Sequence, residues 1–252
     1  MPRTDFNSSG LVRLLAELRV VENAGARQFP AERLGQWIDV ADAITLHAAQ
    51  SAGAAISPAA RPDLKPGCGV AVAEEFASVR ATLAESIATS CSPAGGATQV
   101  RLPRPGAGAD PEVAAAYGPY RRFHLAHQAA MEPVVRALRS SARRALAGGS
   151  ARLRQLAALD QALDRILAGR ERQLLATLPA LLEQRYQELL AAHEQALIDT
   201  GQADDAGRWM QPGGWLATFC DELQAVLMAE LDLRLQPTLG LVEAWQNEAG
   251  RH

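Results

Sequence analysis

Apolar residues recur at spacings of three and four along most of the chain, and each such run predicts a helix. Leu11, Leu14, Leu15 and Leu18 follow the capping residues Asn7, Ser8 and Ser9 and define a short amphipathic helix ending near Asn23 to Gly25. Phe29-Pro30 opens a second helix, with Glu32 near the positive end of its dipole. Its apolar stripe is Leu34, Trp37, Ile38, Ala41, Ile44 and Leu46, with Asp39 and Asp42 on the polar side. Neither helix is long enough to be stable alone, so residues 1–50 are expected to form an antiparallel hairpin capping something larger.

Residues 51–110 read as a linker region interrupted by one helix. Pro58, Pro62 and Pro66 break regular structure up to Gly69. Val72, Phe76, Val79, Leu83 and Ile87 then mark a helix over residues 70–91. Pro93, Pro103 and Pro105 among Gly95, Gly96, Gly106 and Gly108 predict a second linker, the more mobile of the two.

From Asp110, a suitable N-cap before Pro111, the pattern is helical almost without interruption to Thr200. Gly118-Pro119 and Glu132-Pro133 are positions for a kink or a division, and Gly148-Gly149 for a break or turn. Beyond Ser150 come Leu153, Leu156, Leu159, Leu163 and Ile166, then Leu174, Leu178, Leu182, Tyr186, Leu189 and Ala196, with Pro179 opening a new helix. This spacing has a coiled-coil tendency without a clean heptad, because Asp160 and Arg170 occupy positions a strict register would make apolar. After a loop from Gly201 to Gly214, Trp215, Phe219, Leu223, Val226, Leu227 and Leu231 predict a last amphipathic helix, and Pro237 a short tail carrying Leu241 and Trp245. The expected fold is all-α: an elongated bundle over residues 111–252, with long antiparallel, coiled-coil-like helices, joined to the N-terminal elements by proline- and glycine-rich linkers.

Composition agrees with this pattern. Of 252 residues 48% are apolar and only 5% aromatic, with Ala and Leu dominant, which suits closely packed helices rather than a β-sandwich. The net charge of −3 gives no global attraction to nucleic acid or an acidic membrane, but its distribution is uneven. Arg121 to Arg154 holds eight arginines against the single acid Glu132, whereas Gly201 to His252 holds eight acids against three arginines. Cys68, Cys91 and Cys220 are widely spaced and odd in number, which suggests neither a disulfide framework nor a zinc site and fits a reducing compartment. With no long apolar run and no leader pattern at Met1 to Gly10, the chain is expected to be cytoplasmic and not inserted in a membrane.

Candidate chemistry is sparse. His124 and His127 have the spacing of two metal ligands on a helix, but no third ligand lies nearby in sequence, and partly buried polar residues are the simpler reading. The adjacent carboxylate pairs Glu74-Glu75, Asp204-Asp205 and Asp221-Glu222 point in different directions and suit solvated faces or helix starts rather than acid–base work. No phosphate-binding glycine loop or nucleophile elbow occurs, so no cofactor, metal or catalytic residue is expected. Arg136, Arg139 and Arg143 line one helical face, joined by Arg144, and could track phosphates or meet an acidic protein face, within the fold or in a partner. Leu156, Leu163, Leu174, Leu178, Leu182 and Leu189 are the candidate assembly face, for a second copy or a helical partner protein. A non-enzymatic interaction protein is the first reading and a nucleic-acid-binding effector the second.

Leu11-Val12-Arg13-Leu14-Leu15, Phe29 to Ile38 and Asp42-Ala43-Ile44 resemble the opening of a bacterial family known as domain of unknown function 3348. Tyr120-Arg121-Arg122-Phe123, His127-Gln128 and Met131-Glu132-Pro133 resemble its middle region. The resemblance implies an accessory component of the third type of Zorya anti-phage system, working with motor-like membrane proteins as adaptor, sensor or effector. It brings no catalytic residues.

Overall fold

A computed structural model describes residues 10–18, 39–54, 68–93, 100–106, 108 and 110–249. All regular structure among them is helical: α1 (Gly10–Glu17), α2 (Val40–Ala54), α3 (Cys68–Cys91), α4 (Pro111–Ala114), α5 (Gly118–Ala147), α6 (Ala151–Leu175), α7 (Leu178–Thr200) and α8 (Trp215–Ala249), with a 3₁₀ turn at Ala206–Arg208. Among the described residues no helix is long and apolar enough to cross a membrane.

The spine is α8, whose 35 residues span about 52 Å. It runs through Pro237, where the sequence predicts a separate tail, because Leu241, Val242 and Trp245 are buried against α5 and α6 and the packing carries the helix past the lost hydrogen bond. Two apolar clusters lie along it. The larger gathers Leu216, Phe219, Leu223, Leu227 and Leu231 of α8 with Phe123, Met131 and Leu138 of α5, and Leu178, Leu182 and Tyr186 of α7. The smaller joins Leu241, Val242 and Trp245 to Val72, Ala142, Leu146, Leu153 and Ala157. Each fully buried leucine contributes about 1.5–3 kcal/mol over its exposed state.

Gly118-Pro119 divides the long stretch, so α5 begins at Gly118 and Asp110 caps only the short α4, accepting from the Glu112 amide at 3.0 Å. Pro133 leaves α5 continuous; it stands on the exposed side, where the carbonyl it deprives of a donor meets water. Gly148, Gly149 and Ser150 form the turn between α5 and α6, with the Ser150 hydroxyl capping α6 at the Leu153 amide. Gly201 ends α7 in the left-handed conformation. At the start of α8 a Cβ on Gly214 would stand 2.2 Å from the Trp209 carbonyl oxygen, a carbonyl that accepts from the Ala217 amide.

α3 shows the predicted stripe, with Val72 and Ile87 buried and Phe76, Val79 and Leu83 half-buried. It is part of the bundle: Arg80 pairs with Asp232 of α8, and Ser141 of α5 donates to Glu75. The segment after it is anchored too, for the Leu102 amide donates to Ser90 and Arg104 to the Cys91 carbonyl. Of the N-terminal elements α1 packs on α8 and α2 on α6; residues 19–38, which would complete the expected hairpin, lie outside the described residues. Ile44, placed in the sequence on an apolar stripe, is exposed; the Phe29 to Ile38 part of that prediction lies outside the described residues.

Candidate functional site

The arginine stripe of α5 meets α6 across the Gly148-Gly149 turn. Arg139 grips Asp160 with two nitrogens, Nε to Oδ2 at 3.0 Å and an Nη to Oδ1 at 2.7 Å, and reaches Asp164 with the third at 2.9 Å. Arg143 also donates to Asp164, at 2.9 Å. Burial works against the Arg139 charge, but the Asp160 hydrogen bonds and both carboxylates outweigh it and raise its pKa. Asp160, which breaks the heptad, thus sits at an internal clasp. Of the partners the sequence left open, an acidic face within the fold meets Arg139 and Arg143, and its acids come from the next helix.

Arg136 pairs with Glu132 one turn earlier, and Arg144 is exposed in the last turn of α5, where its charge meets the negative end of the dipole. Between α5 and α6 lies a cleft of about 240 Å³ lined by Glu132, Arg136, Arg139, Asp164, Glu171, Arg172 and Arg234. With the groups immediately behind it, Arg136, Arg139, Arg143, Arg172 and Arg234 face Glu132, Asp160, Asp164, Glu171 and Glu230. Within the cleft these charges cancel.

His124 and His127 are both buried and take different partners. Glu230 of α8, fully buried, accepts from Gln128 at 3.0 Å and from Arg234 Nε at 2.8 Å. His124 Nε2 stands 3.3 Å from the same carboxylate, off the line of a hydrogen bond. Burial would raise the Glu230 pKa, but the His124 ring, the Arg234 charge and the Gln128 amide hold it below the usual carboxylate range. His127 Nε2 lies 2.8 Å from Ser90 Oγ. The Ser90 hydroxyl also lies 2.8 Å from the Ile87 carbonyl, and when it donates there it accepts from His127 Nε2. Burial, then the neighbouring His124, lowers the His127 pKa and keeps the ring neutral. Among the described residues no three His, Cys, Asp or Glu side chains converge as a metal site.

The leucine face divides. Leu178 and Leu182 are in the larger core and Leu189 packs against it, because α7 folds back along α8 and is held there by Arg185 gripping Glu222 at 2.9 and 2.7 Å. Leu156 packs against the smaller core, Leu163 is half-buried, and Leu174 is 57% exposed. Most of the stripe therefore serves internal packing. A surface that the sequence reading did not single out lies on α2: Val40 and Ile44, one turn apart, are 78% and 65% exposed. The helix rests on α6 by the opposite side, through half-buried Leu46 and Ala49 and a bond from Gln155 to the Gln50 carbonyl at 2.9 Å. The signal was available in the composition of α2, which has one charged residue, Asp42, among fifteen.

Residues 1–247 match the model of a family described as a protein of unknown function, DUF3348. No curated protein and no solved structure matches the chain.

Proposed function

The chain belongs to the DUF3348 family, and on that footing we propose that it is a non-enzymatic helical adaptor that docks an apolar helical segment of a partner protein on the outward face of α2. The observation that carries this reading is the exposure of Val40 and Ile44 on a helix with a single charge. Apolar groups four residues apart share a side, and such a face on a surface helix is suited to a second helix laid along it. The face offers little charge, so the partner segment is recognised by apolar contact. The wider role is that of an accessory component of a membrane-motor-linked anti-phage defence system, the third type of Zorya, with the protein in the cytoplasm beside motor-like membrane proteins. The resemblance to the family supports this context.

The test is binding of the purified chain to the proteins encoded beside it, by light scattering and pull-down, with Val40→Glu/Ile44→Glu as the control. Binding reduced at least tenfold by the double substitution, with helicity unchanged, is expected. A strictly monomeric protein that captures none of them would sink the proposal. Salt-sensitive DNA binding lost in Arg136→Gln/Arg144→Gln would replace it with the nucleic-acid reading.

A further inference from the structure

Three sulfur atoms from separate parts of the chain line one cavity. Cys91 ends α3, Met210 lies in the loop before α8, and Cys220 is in the second turn of α8. The cavity, about 390 Å³, opens beside the exposed Ser92 and Pro93. The Cys220 thiol donates to Met210 Sδ at 3.9 Å, and Cys91 lines the same cavity. Two sulfur ligands held about 2.3 Å from one tetrahedral or trigonal ion stand about 3.8–4.0 Å apart, so the observed spacing is that of a ligand pair.

We propose that Cys91, Met210 and Cys220 form a binding site for a soft monovalent cation, Cu(I). A thioether beside two thiols selects Cu(I) over Mg²⁺, Ca²⁺ or Mn²⁺, and over Zn²⁺, which prefers thiolate and imidazole to thioether. Binding releases one proton from each thiol. Two thiolates with one Cu(I) carry a single negative charge, and Arg104, fixed by its 2.8 Å bond to the Cys91 carbonyl, is the cation that faces both sulfurs and offsets it. Burial opposes deprotonation, raising Cys91 and pushing Cys220 up to about 12, and Asp221 adds to it at both thiols. Copper therefore competes with protons, and its affinity rises with pH.

Anaerobic titration of the reduced full-length chain with Cu(I), against bicinchoninate as competing chelator, tests this. The wild type is expected to withdraw one equivalent. Cys91→Ser and Cys220→Ser abolish that withdrawal, Met210→Leu weakens it at least tenfold, and Cys68→Ser leaves it unchanged. No withdrawal, or withdrawal indifferent to Met210 and following Cys68, overturns the site. Should the buried cysteine variants fail to fold, alkylation of the wild type decides the matter without substitution. One equivalent of Cu(I) should protect Cys91 and Cys220 together, and equal alkylation rates with and without copper would refute the proposal.

Discussion

Arg139 of α5 and Asp160 of α6, twenty-one residues apart, form a two-pronged ion pair across the turn that joins their helices. Both side chains are largely buried, at 13% and 10% exposure, so the pair does not have the small worth of a surface bridge. Its second carboxylate, Asp164, is shared with Arg143. The clasp fixes how α6 lies on α5 roughly two to three helical turns from the Gly148-Gly149 turn.

Asp160→Asn is expected to destabilise the fold by about 3 kcal/mol, the low end of the cost of breaking a buried pair because Asp164 remains. Arg139→Met/Asp160→Leu should recover most of that loss, since an apolar pair carries no desolvation penalty. Urea unfolding of both variants checks this, and a double variant no better than the single one would contradict it.

Glu230→Gln leaves Arg234 without its buried counter-charge and is expected to cost about 3–5 kcal/mol at neutral pH. The Glu230 pKa is depressed in the fold, so its contribution is complete above about pH 4.5, the ordinary carboxylate value, and fades as pH falls through the folded value. The stability gap between wild type and variant should therefore narrow on acidification. Denaturant midpoints at pH 7 and at about pH 4 provide the comparison.

His127 carries an opposing demand, because its buried ring must stay neutral. Its folded pKa lies below the ordinary 6.5, so its contribution to stability is present above pH 6.5 and is lost as pH falls from there to the folded value. Melting temperature should decline below about pH 6.5, and the decline should be shallower in His127→Gln. An identical slope in the two proteins would assign the acid sensitivity elsewhere.

Gly214→Ala places a methyl group against the Trp209 carbonyl, where backbone must move to admit it. A loss of about 3 kcal/mol is expected, at the upper end for overpacking. A change in tryptophan emission should accompany it as the loop carrying Trp209 shifts.

Periodicity made most of the helices legible. The stripe from Val72 to Ile87 and the breaks at Gly148-Gly149 and Pro179 are local properties, readable from neighbouring residues. Proline was the least reliable punctuation. Pro119 opens a helix while Pro133 and Pro237 lie inside two others, and what separates these cases is solvent access and packing by distant residues. The exposure of Ile44 was hidden for the same reason: which side of α2 meets α6 is set by tertiary contact and not by the helix itself.

The polar sites were legible as residue types but not as pairs. Arg139 and Arg143 stood out as a stripe, yet their partners are Asp160, which seemed only to spoil a heptad, and Asp164 one turn on. His124 and His127 are three residues apart but are directed to Glu230, more than a hundred residues on, and to Ser90, in the preceding long helix. Cys91 and Cys220 reach a common cavity only because α3 packs along α8.

The two apolar clusters along α8 are separately labelled by nature. Trp209 and Trp215 belong to the larger and Trp245 to the smaller, so variants that replace Trp37 and leave one set in place turn the protein into its own optical gauge. Emission from each set then reports whether the two ends of the spine melt together or in succession, with no dye attached.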